Sequence, residues 1–82
     1  MLYLAELYAP RGEDVADLAQ RARAAADAAS PGMSVAFVQA IFVPLDECCF
    51  ILYRSASAAD VTAAGALAGL DFDRVAEARA LL

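Results

Sequence analysis

The chain has 82 residues, 62% of them hydrophobic, and a formal net charge of -5. Its length predicts a single domain over residues 1–82. Its six basic residues are all arginine, and this acidic balance argues against nucleic acid as a partner, because polyanion binding needs clustered positive charge. A membrane span is not expected either, because the longest apolar runs, such as residues 48–53, are far shorter than the roughly 20 residues that cross a bilayer.

Two predicted elements occupy the first third of the chain. Residues 2–9 are mostly aliphatic or aromatic and end at a Pro-Arg-Gly turn, which is typical of a strand. They lack the basic segment of a signal peptide and include Glu6, so we expect a cytoplasmic protein. Over residues 13–29, apolar side chains such as Leu18 recur every three or four positions, which predicts an amphipathic helix that a Ser-Pro-Gly segment ends.

Two strands are predicted in the middle of the chain. Residues 35–43 and 48–54 are rich in β-branched and aromatic side chains, which favour extended structure. A short connection that begins with Pro44 separates them. This pattern indicates a strand, a short connection and a second strand.

A second helix and a last strand follow. Ser57 stands three residues before Asp60, a capping-box-like start for a helix that ends at Gly69. Residues 74–82 are predicted as the last strand, although their alanines weaken its strand propensity. The complete order predicts an α+β domain of the ferredoxin-like βαββαβ type. Right-handed crossovers then give a four-stranded antiparallel sheet, ordered 4-1-3-2, with two helices on one face.

Both faces of the predicted sheet are rich in apolar side chains. The set that we assign to the helices is nearly all apolar: Tyr3, Ala5, Leu7, Ala36, Val38, Ala40, Phe42, Cys49, Ile51, Tyr53, Ala76, Ala78 and Ala80. The other set mixes large apolar and isolated polar side chains: Leu2, Leu4, Glu6, Tyr8, Val35, Phe37, Gln39, Ile41, Val43, Cys48, Phe50, Leu52, Arg54, Val75, Glu77, Arg79 and Leu81. A sheet face in water would alternate polar residues throughout. We therefore predict a homodimer of the α+β barrel type, in which a second copy covers this face and the two sheets enclose an interior.

Glu6 is the first candidate site residue, because it lies in the middle of a central strand. The neighbouring strands carry Glu77 and Arg79 on one side and Arg54 on the other, and we expect these three residues to take part in ligand binding. A partly desolvated carboxylate needs a cationic partner, so Glu6 is either half of a structural ion pair in the dimer interface or a general base or ligand anchor in a pocket. Gln39 is a candidate for hydrogen bonding to a ligand on the same face, or to a partner strand across the dimer.

The sequence lacks the residues that several common kinds of active site or metal site require. The chain has no histidine, so the commonest general base and metal ligand are absent. Cys48 and Cys49 are adjacent on a strand and point to opposite faces, so they are expected to be small buried hydrophobic residues and not joint metal ligands. No glycine-rich phosphate loop occurs. We therefore expect no metal site and no cofactor.

Three segments of the sequence carry a family resemblance. Residues 46–57 read DECCFILYRSAS, residues 68–78 read AGLDFDRVAEA, and residues 3–8 read YLAELY. The chain thereby resembles the small bacterial nickel-binding-protein-like family, long listed as a domain of unknown function. The resemblance implies a ferredoxin-like fold, dimerisation and, for some members, a bound nickel ion. Three positions depart from the family pattern: Arg54 replaces a frequent Glu, Ala56 a frequent Pro, and Ala64 a His that many members have.

Three functions fit this set of residues. The leading hypothesis is a dimeric cytoplasmic binding or accessory protein that encloses a small apolar ligand, with Glu6, Arg54 or Arg79 making the polar contacts. The alternative is a cofactor-free enzyme, such as an isomerase, cyclase or monooxygenase, with Glu6 as general base. In a third hypothesis, the dimer serves as a scaffold for another protein. A cavity of a few hundred Å³ at Glu6, the size range of small-molecule sites, would favour the first two.

Overall fold

The four strands form one antiparallel sheet in the order β2-β3-β1-β4. A computed structural model describes residues 1–29 and 31–81. Its elements are β1 (Leu2–Tyr8), α1 (Val15–Asp27), β2 (Val35–Val43), a 3-10 turn (Pro44–Asp46), β3 (Cys48–Ser55), α2 (Ala58–Leu67) and β4 (Arg74–Ala78). The predicted βαββαβ order and strand order are confirmed, and the fold is ferredoxin-like.

Helix α1 begins where a side chain caps it. The carboxylate of Asp14 accepts hydrogen bonds from the backbone N–H groups of Ala16 and Asp17, both at 3.1 Å. Leu18 and Ala22 are buried on the side of the helix that faces the sheet. The predicted helix is therefore confirmed, two residues shorter at each end than the predicted range.

Helix α2 has both of its predicted ends. The hydroxyl of Ser57 accepts a hydrogen bond from the backbone N–H of Asp60 at 3.1 Å. Gly69 follows the helix with φ +76°, a left-handed conformation that glycine adopts without steric cost. The next residue, Leu70, turns back into the core, and its backbone N–H donates to the carbonyl of Gly65 at 2.8 Å.

The core lies between the helices and one face of the sheet. Its buried members are Tyr3, Ala5, Ala9, Leu18, Ala22, Ala25, Cys49, Ile51, Tyr53, Val61 and Leu70. Tyr53 joins the two layers, because its buried hydroxyl donates a hydrogen bond to the carbonyl of Ala22 in α1 at 2.6 Å. Burial in this core raises the pKa of Tyr53 well above its usual range, so the hydroxyl stays a donor.

A β-bulge in β2 overturns part of the predicted face assignment. Phe37 pairs with Tyr53 and Gln39 with Leu52, so Val38 is an extra residue without a partner of its own in β3. Ala36 and Val38 were expected under the helices. Instead, Phe37 packs against the core on that side, because the bulge shifts the alternation by one residue in the first half of the strand.

Strand β4 also has the opposite alternation from the predicted one. Val75 lies opposite Ala5 and packs against the core, so Ala76 and Ala78 lie on the other face of the sheet. The larger side chain of Val75 fills space beneath the helices that an alanine would leave empty. The strand also ends at Ala78, so residues 79–81 are not part of it, and residue 82 lies outside the described residues.

Replacing Gly65 by alanine should destabilise the fold. A Cβ atom at this position would overlap the aromatic ring of Phe72, which packs beside Tyr53 with ring centroids 6.1 Å apart. The helix propensity gained is about 1 kcal/mol, while overpacking costs about 1–3 kcal/mol, so we expect a net loss of about 1 kcal/mol in the free energy of unfolding.

Urea denaturation measures this change, and Gly12→Ala is the matched control, because nothing lies within 4 Å of a Cβ at Gly12. An equal or greater stability of the Gly65→Ala variant would show that the Phe72 ring is not held in place.

Candidate functional site

The candidate site is the face of the sheet opposite the two helices, which we call the open face. Its residues are Leu2, Leu4, Glu6 and Tyr8 of β1, Ala36, Gln39, Ile41 and Val43 of β2, Cys48, Phe50, Leu52 and Arg54 of β3, and Arg74, Ala76 and Ala78 of β4. Tyr8 is 61% exposed and Ile41 52% exposed, while Leu4, Phe50 and Leu52 are half-buried. A single chain therefore leaves a mainly apolar surface in water.

Pairing across the strands arranges this face in rows. From β4 to β2, the three complete rows are Ala78, Leu2, Arg54 and Ala36; then Ala76, Leu4, Leu52 and Gln39; then Arg74, Glu6, Phe50 and Ile41. Leu4 and Leu52 form the middle row, with Arg54 on one side of it and Glu6 on the other. The two charged residues on the central strands thus stand at opposite ends of an apolar centre.

Glu6 has a different partner from those predicted. The expected partners were Arg54 and Arg79, but the register of β4 places Arg74 directly opposite Glu6. The Nη1 of Arg74 lies 3.8 Å from Oε1 of Glu6, and the two side chains are 67% and 33% exposed. A pair this long and this exposed contributes at most about 1 kcal/mol.

Four carboxylates gather at the Glu6 end of the open face. Asp73 binds the backbone of β1 twice: its N–H donates to the carbonyl of Glu6 at 2.8 Å, and its Oδ2 accepts from the N–H of Tyr8 at 2.7 Å. The hydroxyl of Tyr8 donates to Oε2 of Glu47 at 3.5 Å. With Asp46 in the adjoining 3-10 turn, these residues make what we call the acidic end, consisting of Glu6, Asp46, Glu47 and Asp73.

Arg54 stands alone at the other end of the face. It is exposed, and it forms no ion pair with any residue in the described ranges 1–29 and 31–81. Gln39 is exposed beside Leu52 in the middle row. Three of the predicted site residues, Glu6, Gln39 and Arg54, are therefore brought to one surface.

The other two predicted site residues lie away from that surface. Glu77 pairs with Tyr3, on the side of the sheet that the helices cover, because the alternation of β4 is shifted by one residue. Arg79 lies beyond the end of β4, with its Nε 3.5 Å from Oε1 of Glu77. Sequence reasoning missed Arg74 for the same reason. Val75 could have indicated the correct alternation of β4, because it is the one large apolar side chain of this strand and large apolar side chains belong in the core.

The two cysteines point to opposite faces, as expected. Cys49 is buried in the core, and Cys48 is half-buried on the open face. Burial raises the pKa of both thiols, and the negative charge of Glu6 raises that of Cys48 further. Both are therefore protonated at neutral pH, and neither is an activated nucleophile.

The donor groups do not fit the nickel ion that the family resemblance implies. Nickel prefers imidazole or thiolate ligands, and the chain has no histidine and two cysteines on opposite faces. No group of three or more Cys, Asp or Glu side chains in the described part of the chain is placed to hold a metal ion.

A shallow depression lies on the other side of the molecule from the open face. It measures about 510 Å³ and is lined by Ala16, Gln20, Arg23, Ala24 and Asp27 of α1. All five come from the outer side of one helix, and none of the predicted site residues lines it. Within the described ranges, neither helix is long and apolar enough to span a membrane.

Comparison with known proteins supports the fold and goes no further. No family model matches the chain, and no curated protein matches it. The crystal structure of SCO4226 from Streptomyces coelicolor A3(2) is similar over the whole of both chains, with a TM-score of 0.78 and 21% sequence identity. At this identity the likeness establishes the ferredoxin-like fold. The resemblance to the nickel-binding-protein-like family stays a prediction.

The thiol of Cys48 should react slowly with iodoacetamide, because only the thiolate attacks and its pKa is raised. In a Cys49→Ala variant, which isolates Cys48, we expect the curve of alkylation rate against pH to lie at higher pH than that of free cysteine. The Cys48→Ala variant is the control, since its buried Cys49 should react only after unfolding. Faster alkylation of Cys48 than of free cysteine at pH 7 would contradict the local electrostatics described above.

Proposed function

We propose that this chain works as a homodimeric binding protein, with the two open faces packed together around a small, mainly apolar ligand. The observation that supports the proposal is the composition of the open face. Its centre consists of half-buried Leu4, Phe50 and Leu52, which neither helix contacts from that side. Large apolar surfaces of this kind mark interaction sites in proteins that are otherwise well packed.

The gain from covering the open face is substantial. Full burial of a Leu, Ile or Phe side chain contributes about 1.5–3 kcal/mol relative to full exposure, and these residues are still partly exposed. A second copy offers the same apolar surface, and two-fold dimers are the commonest oligomers. The twofold-related sheets would lie about 10 Å apart, which leaves room for side chains and, where these are small, for a ligand.

Isolated polar groups on this surface favour a ligand with one polar substituent. Glu6 and Gln39 stand in adjoining rows among leucine and phenylalanine side chains, and ligand pockets typically combine an apolar lining with a few such groups. The carboxylate of Glu6 already contacts Arg74. That contact favours a role in binding over the alternative of a general base in a cofactor-free isomerase, cyclase or monooxygenase.

The Leu52→Glu substitution should break the dimer. It places a carboxylate in the apolar middle row, where packing of the two sheets would remove it from water, so we expect the dimer Kd to rise by at least about 100-fold. Sedimentation equilibrium measures this. The matched control is Leu67→Glu, the same substitution at a residue of α2 that is 59% exposed and away from the open face.

Binding of the neutral apolar probe N-phenyl-1-naphthylamine then distinguishes a dimer that encloses a cavity from a dimer whose interface is closed. We expect saturable fluorescence enhancement with the parent dimer and with Leu67→Glu, and its loss with Leu52→Glu. A stable dimer that takes up no probe would overturn the binding role and leave a scaffold. A chain that stays monomeric at every concentration would overturn the proposal as a whole.

A further inference from the structure

The open face carries opposite charges at its two ends. Arg54 is the exposed cation at one end, and the acidic end, with Glu6, Asp46, Glu47 and Asp73, lies at the other. Arg74 offsets part of this negative charge from the edge strand, at 3.8 Å from Glu6. Burial is the main cause of the raised pKa of Cys48, and the nearby charges of Glu6, Asp73 and Asp46 raise it further. The face therefore has a direction, from basic to acidic along the strands.

This direction distinguishes between two ways of packing a pair of open faces. If the two-fold axis runs along the strands, each end meets the same end of its partner, so that acidic groups face acidic groups. If the axis crosses the strands, each basic end meets an acidic end. Like charges that face each other across an interface strongly disfavour that arrangement, and each chain already carries a net charge of -5.

We propose that the two subunits pack about a two-fold axis that crosses the strands at Leu4 and Leu52, and that Arg54 of each subunit forms an ion pair with the partner subunit's Glu6. The inference rests on the proposed dimer. It adds that the site around Glu6 is incomplete in one chain, because Arg74 is the first cation of the site and the second comes from the partner subunit.

The spacing of the rows agrees with this arrangement. Leu2 and Arg54 form the row before the middle one, and Glu6 and Phe50 form the row after it. A two-fold axis through the middle row therefore places the Arg54 row of one subunit over the Glu6 row of the other. This axis lays each strand over its own copy, so Arg54 on β3 and the partner's Glu6 on β1 are offset sideways by one strand spacing, about 4.8 Å, as well as by the roughly 10 Å between packed sheets. A long arginine and a glutamate that reach from opposite sides can close this diagonal.

The leucines of the middle row would lie opposite their own copies at the axis. Leu4 and Leu52 would thus line the apolar space between the two sheets, with one Arg54–Glu6 pair on each side. Glu6 would then contact two guanidinium groups, Arg74 from its own chain and the partner's Arg54. A carboxylate between two arginines accepts charge-assisted hydrogen bonds from both.

Charge reversal tests the inference. We expect Arg54→Glu and Glu6→Arg each to raise the dimer Kd at least about tenfold, because each variant places two like charges together in both copies of the contact. The double variant that carries both substitutions should bind at least about tenfold more tightly than the two single changes predict together, because the reversed pair forms in both copies of the contact. The control for Arg54→Glu is Arg79→Glu, an equal change in net charge at a side chain that is 82% exposed and off the open face.

The outcomes separate this inference from the proposed dimer. A dimer that tolerates Arg54→Glu, or a double variant that does not recover, would overturn the ion pair and leave the dimer standing. A parent chain that is monomeric would overturn both. Should the reversed variants fail to fold, Arg54→Ala, Glu6→Gln and the double variant that carries both changes give the same comparison. Effects on the dimer Kd that are not additive would support the ion pair, and additive effects would contradict it.

Discussion

One four-stranded sheet with two apolar faces is the constraint on which the rest of this molecule depends. The described residues form two α-helices, and both pack on the face that carries Ile51 and Tyr53. That face is sealed by aromatic and aliphatic packing and by the bond from the Tyr53 hydroxyl to α1. Nothing in the described part of the chain covers Leu4, Phe50 and Leu52 in the same way. The same alternation that builds the core therefore creates a second, mainly apolar surface that the described residues leave uncovered.

The distribution of charge on that surface determines how a partner can approach. The apolar centre supplies attraction without direction, since burial of apolar area is not directional. Arg54 and Glu6, four residues apart along the strands, supply the direction. Electrostatic complementarity of this kind sets the register of an interface more than its affinity. In the proposed dimer, a site built from Glu6, Arg74 and the partner's Arg54 would link the proposed binding role to the two-fold symmetry.

Most of the fold was predictable because its signals are local. Ser57 caps α2 and Gly69 ends it as predicted, and the strand order follows from handedness rules that hold for most such folds. The face assignment was wrong at two places where the alternation changes. The bulge at Val38 leaves no signal in a run of apolar residues, because every register of such a run looks alike. In β4, Ala76 and Ala78, two residues apart, misled in the same way, because they continue the apolar alternation of the predicted helix face.

These two register errors also explain which candidate site residues were placed correctly and which were not. Glu6, Gln39 and Arg54 lie on strands, or parts of strands, whose alternation was assigned correctly, and the structure brings them to one face. Glu77 and Arg79 were placed there by the wrong register of β4, which also hid Arg74, the observed partner of Glu6. A pairing partner depends on contacts between distant segments, so a single sequence without such contacts cannot specify it.

Sedimentation equilibrium of the unmodified chain, over concentrations from below to above the micromolar range, tests the central claim most directly. If the open face is covered by a second copy, the measured mass should be twice the chain mass of 8.6 kDa at the higher concentrations and fall towards that mass on dilution. A mass of one chain throughout the range would contradict the account, because the apolar centre of the open face would then remain in water.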